Sequence, residues 1–150
     1  MPGKGFNHTP ATGQFRNHTS WGRTRQPKNL AGAHGTQTSA PVDAAPTVAT
    51  DGYATENQRY LHVLIKDNAA ANGVGIVIWA YSHAFGAWGK LTQASGNAAE
   101  LASSSTSLSV TQVFEISGID RVYFQRADVG AATEDWDDAN DELYAAASTF

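Results

Sequence analysis

All five prolines of this chain, Pro2, Pro10, Pro27, Pro41 and Pro46, fall within its first fifty residues. Proline fixes φ and removes a main-chain donor, so this spacing forbids a long helix and discourages a central strand. The branched aliphatic residues of the same stretch are Leu30, Val42 and Val48 alone. Ordering one backbone residue costs on the order of 1–2 kcal/mol, and such a composition buries too little apolar surface to offset that cost. Residues 1–52 are therefore expected to form an extended arm, and residues 53–150 the domain that carries it.

Beyond Tyr53 the pattern changes to period two. In Arg59–Ile65, Leu61, Val63 and Ile65 alternate with Tyr60, His62 and Leu64. In Ile76–Ser82, Ile78 and Ala80 follow Ile76 on one side, opposite Val77, Trp79 and Tyr81. Further strands are expected near 87–92, over 108–116 and over 120–127, joined by turns rich in Gly, Asn and Ser. The Ser/Ala-rich stretch 94–107 reads as a loop or a poor edge strand. Several short strands with turn signals between them predict an all-β, antiparallel sandwich, jelly-roll-like in its build. The tail has two readings: a helix capped by Thr133, with Glu134 and Asp135 at its N-terminus, or an acidic loop followed by a last edge strand, Glu142–Ser148.

Charge divides the chain as the prolines do. Residues 1–50 carry Lys4, Arg16, Arg23, Arg25 and Lys28 against Asp43, a net +4, whereas residues 51–150 carry −8. The asymmetry bears on partners rather than fold. With no cysteine in the chain, disulfides and thiolate metal sites are excluded. The start lacks the charged-then-apolar pattern of a secretory signal, and no apolar run reaches membrane-spanning length, which points to synthesis and use in a cytoplasm.

Motifs for chemistry fail on inspection. Ala84–Lys90 ends in Gly-Lys, but Ala84 stands where a phosphate loop needs glycine and Leu91 where it needs Ser or Thr. His62 and His83 read as strand and turn residues, not as metal ligands. The acidic run Glu134–Glu142 lacks the ladder and central glycine of a calcium loop, and reads as a solvated or docking face. The two Asn-His-Thr triplets, at 7–9 and 17–19, match a glycosylation pattern without a secretory route. The chain is expected to have no catalytic residues, no metal and no cofactor, and not to be an enzyme.

Two groups of residues are the candidates for binding. In the arm, Phe6, Phe15 and Trp21 are the anchors, and Arg16, Arg23 and Arg25 the charge-assisted contacts, for a protein partner; five basic residues over fifty are thin for nucleic acid. In the domain, Trp79, Tyr81, Phe85 and Trp88 form the densest aromatic patch, either filling a core or subunit interface or stacking on sugars.

A small acidic β-domain behind a long basic arm resembles the cement or decoration proteins of tailed-bacteriophage heads. The segments RYLHVLI, GVGIVIWAYS, GAWGKLT and FEISGIDRVYFQRA, over roughly 53–128, are similar to small phage virion β-domains. The resemblance implies a structural virion protein on the capsid surface. It would be made in the host cytoplasm, bound to the major capsid protein or other virion proteins, and clustered as a homo-oligomer with a trimer favoured. A carbohydrate-binding fibre or receptor-binding domain is the alternative.

Overall fold

The computed structural model describes residues 28–29, 41–68 and 71–149. Nine strands run in order: β1 Lys28–Asn29, β2 Tyr53–Ala54, β3 Tyr60–Asp67, β4 Gly75–Ser82, β5 Ala87–Lys90, β6 Glu100–Ala102, β7 Ser109–Glu115, β8 Arg121–Arg126 and β9 Asp141–Ser148. Every strand pairing is antiparallel, and there is no helix among the described residues. The first sheet has the order β1-β9-β3-β7; the second has β2-β8-β4-β5, with β6 on the same side of β4 as β5. The all-β antiparallel expectation holds.

The alternation read in the sequence is what closes the core. Leu61, Val63 and Ile65 of β3, Phe114 of β7, and Leu143, Ala145 and Ala147 of β9 point inward from the first sheet. Ile76 and Ile78 of β4, Val122 and Phe124 of β8, and Leu91, Ala99 and Leu101 meet them from the second. Burying side chains of this size contributes about 1.5–3 kcal/mol each, which is why the central strands tolerate no slip in register.

The tail is a strand, not a helix. β9 pairs with β3 along its whole length, from Asp67↔Asp141 to Tyr60↔Ser148. Alanine favours helix intrinsically, but a weak propensity yields to a buried alternating face. Asp137, two residues beyond the acids expected to begin a helix, shapes a turn. The N–H groups of Asn140 and Asp141 bond the Asp137 carbonyl, and the Asp137 carboxylate accepts from Ala139 N–H at 2.9 Å and Asn140 Nδ2 at 2.7 Å. Nor is β9 the rim of its sheet, because β1 lies beyond it at Ala146 and Ala147.

Two glycines are dictated by close backbone approach. Gly52 has φ +66°, and a Cβ there would stand 2.2 Å from the Val122 carbonyl oxygen. Gly73, at φ +95°, would place one 2.3 Å from the Ser103 oxygen. Only glycine fits either position.

Candidate interaction face

Because β4 lies between β8 and β5, alternate residues of three strands share the outer face of the second sheet. Trp79 pairs with Tyr123 and Lys90, and Tyr81 with Arg121 and Trp88. The rings pack at angles: Tyr81 and Trp88 have centroids 5.3 Å apart at 53°, and Trp88 and Tyr123 are 6.1 Å apart at 64°. Such tilted pairs suit the ring quadrupoles. Lys90 Nζ sits 5.9 Å from the Trp79 ring centre, and Trp79 Nε1 donates to Gln125 Oε1 at 2.7 Å. Of the four aromatics singled out in the sequence, Trp79, Tyr81 and Trp88 come together here. Phe85 stands apart at the β4–β5 turn, 86% exposed.

Residues 41–52, the end of the expected arm, form a strap laid across this face. Val42 bridges Gln125, with Val42 N–H bonding the Phe124 carbonyl at 3.1 Å and Arg126 N–H bonding the Val42 carbonyl at 2.9 Å. Beyond it, donors on the face reach one strap carbonyl after another. Gln125 Nε2 reaches Asp43 at 2.8 Å, Tyr123 Oη reaches Ala44 at 2.9 Å, and Trp88 Nε1 reaches Val48 at 2.9 Å. Arg121 alone spans the carbonyls of Thr50, Asp51 and Gly52 at 2.7–2.9 Å. Side-chain contact adds the Arg126–Asp43 ion pair at 2.6 Å. Asp51 closes the strap on itself by accepting from Thr47 and Val48 N–H at 2.8 and 2.9 Å. Those bonds hold its carboxyl below the ordinary value, with Arg121 adding to the effect. Desolvation raises the Tyr123 hydroxyl, and the Asp51 charge raises it further. Apart from that ion pair with Asp43, the face reads main chain.

At the opposite end of β3, two carboxyls are buried against each other. Asp67 and Asp141 are register partners, 2% and 3% exposed. Ser103 Oγ donates to Asp67 Oδ2 at 2.7 Å, and Asp137 N–H donates to Asp141 Oδ2 at 2.7 Å. Burial pushes Asp141 from 3.8 up to about 6; Asp137 N–H opposes this, while the charge of Asp67 and its hydrogen bond reinforce it. A like charge this close disfavours ionising Asp141. Nearby, Glu134 Oε2 accepts from the N–H groups of Ala71, Asn72 and Gly73 at 2.9, 3.3 and 3.4 Å, clasping the turn before β4. The acidic run is thus partly a structural device and not wholly a solvated face.

His62 and His83 do not converge: His62 Nε2 lies 2.8 Å from Ser148 Oγ on the first sheet, while His83 meets Tyr81 edge-on at 5.2 Å beside the second. Among the described residues no three metal-binding side chains cluster. Phe6, Phe15, Arg16, Trp21, Arg23 and Arg25 lie outside the described residues. Sequence reading missed Arg121, Tyr123 and Gln125, although alternation against Val122 and Phe124 puts them on one face. It missed Asp67 and Asp141 too, although both continue the inward parity of their strands. No family model, curated protein or solved structure matches this chain.

Proposed function

We propose that this chain is a structural virion protein, a cement or decoration protein that binds and stabilises a phage head shell through its N-terminal arm. In this reading the arm, +4 over residues 1–50, contacts the major capsid protein or another virion protein. The β-domain oligomerises on the capsid surface, and no catalysis or cofactor is involved.

The observation that carries the reading is the strap. Its carbonyls are held by Gln125, Tyr123, Trp88 and Arg121, so whatever precedes Pro41 is tethered at a fixed place on the domain. A tethered arm works as a clamp: binding supplies the contacts that its own composition cannot. We further read the sandwich as a jelly roll. With β5 and β6 counted as one interrupted strand beside β4, the strands divide four and four, first beside last and second beside second-to-last. That order fits two interleaved Greek keys, an architecture found in capsid and lectin domains, though fold alone does not assign function.

The sugar-binding alternative rests on Trp79, Tyr81 and Trp88. A stacking platform needs flat, open rings with free donors; these are inclined to one another, and Trp88 Nε1 is bonded to Val48. The clamp is therefore the preferred reading. It is tested by deleting residues 1–27, which spares β1 and the strap, or by changing Phe6, Phe15 and Trp21 together to Ser. Both variants are expected to fall away from purified particles while their melting curves match the parent. Full occupancy of the particles by either variant would overturn the clamp.

A further inference from the structure

Sheet edges are templates for further pairing, and proteins blunt them with short strands, charges, prolines, bulges or covering segments. Three of the four edges here are treated in that way. β9 carries β1, β8 carries β2 and the Val42 bridge, and the open side of β4 is divided between the short β5, with Lys90, and the short β6, with Glu100. β7 is treated differently. It runs seven residues, pairs with β3 in unbroken register from Lys66↔Ser109 to Tyr60↔Glu115, and has no strand on its other side among the described residues. From Leu108 to Ile119 there is no proline, lysine or arginine. Val113 is 52% exposed and Leu108 41%.

The direction of the free groups follows from the bonds that flank the strand. Asp67 N–H bonds the Leu108 carbonyl at 2.8 Å, and Ile116 N–H bonds the Arg59 carbonyl at 2.7 Å. Antiparallel pairing alternates, so even-numbered residues of β7 bond β3, while Ser109, Thr111, Val113 and Glu115 turn their main-chain groups outward. Those four side chains are also exposed.

We propose that β7 is where two copies of this chain join, edge to edge and antiparallel about Gln112, continuing the first sheet across a twofold axis. The sequence of the strand is self-complementary in that register. Thr111 of each copy faces Val113 of the other, a β-branched pair that suits a sheet surface. Ser109 faces Glu115, which keeps the strand's only charged residue away from its symmetry mate. Gln112 meets itself at a non-hydrogen-bonded position, amide to amide. Beside the edge lies a groove of about 560 Å³ lined by residues that include Leu91, Gln93, Gln112, Phe114 and Ile119. Gln112, which lines it, and Val110 on the same parity are half-buried, and a neighbouring strand would cover them. An isologous contact of this kind closes at two copies instead of growing into a fibre. The pairing is independent of shell binding and goes beyond it.

The absence of cysteine gives a direct test on the full chain. At a non-hydrogen-bonded antiparallel position the facing Cα atoms are about 4.5 Å apart, within disulfide reach. Under mild oxidation Gln112→Cys is expected to become a covalent dimer, while Ser95→Cys, in an exposed turn, stays monomeric. In sedimentation velocity the unmodified chain is expected to dimerise. The double variant Thr111→Lys/Val113→Lys, which sets lysines opposite each other, should lose the dimer with its melting curve unchanged. A parent chain that remains monomeric at every concentration, an oligomer that survives both lysines, or Gln112→Cys cross-linking no faster than Ser95→Cys would each overturn the proposal.

Discussion

The strapped outer face of the second sheet and the buried acidic end of β3 and β9 use polar groups in opposite ways. On the strapped face, neutral donors and one arginine meet main-chain carbonyls, and every bond satisfies a group that water would otherwise have to reach. At the acidic end, two carboxyls with nothing positive between them are pressed together out of water. The first arrangement adds order to a segment with little apolar surface; the second costs stability whenever both carboxyls are ionised. A bonded polar group and a buried like charge therefore differ in sign, although both are polar residues on β-strands.

The largest effect expected is at the junction of strap and sheet. Gly52→Val forces a β-branched side chain into a left-handed position and against the Val122 carbonyl. A loss of about 3 kcal/mol or more is expected in urea unfolding, with the strap amides losing protection from hydrogen exchange. A smaller cost would mean that the strap is not seated on β8 as described.

Next comes Arg121→Ala, which removes the donors to Thr50, Asp51 and Gly52. Arg121 is only half-buried, so water replaces part of what is lost, and a cost of about 1–3 kcal/mol is expected. Hydrogen exchange should quicken in the strap and stay unchanged in β3 and β9. Equal quickening in both regions would erase the distinction between a latched segment and the core.

The smallest effect is one of pH, and it belongs to the other region. Asp141 has its folded value raised from 3.8 to about 6. The stability this contributes is fully present below 3.8 and is lost as pH rises through 6. Asp51 and Asp137 are lowered by the hydrogen bonds they accept, so they act in reverse and lose their contribution only as pH falls below the ordinary carboxylate range. Acidification from pH 8 to 5 is therefore expected to raise the urea midpoint. Asp141→Asn should flatten that rise, standing above the parent at pH 8, by less at pH 5, and level with it only below 3.8. An unchanged slope in the variant would show that the proton is held elsewhere.

Much of this was legible from the chain by itself. Period-two alternation placed β3, β4, β7 and β8, and in β3 and β4 it separated the residues of the two sides, because alternation is a local property of the pattern. What the sequence left open were the non-local choices. The tail offered both helix and strand, and the decision came from β3, whose free side needed an eight-residue partner with Leu143, Ala145 and Ala147 on the inward parity. Trp79 and Tyr81 were recognisable as neighbours, but only the order β8-β4-β5 brought Tyr123, Arg121 and Trp88 beside them and laid the strap over them. Asp67 and Asp141 are more than seventy residues apart in the chain, and nothing in either neighbourhood says that they will be buried side by side. Local sequence fixes which way a side chain points; strand order, a product of the whole chain folding at once, decides what it meets.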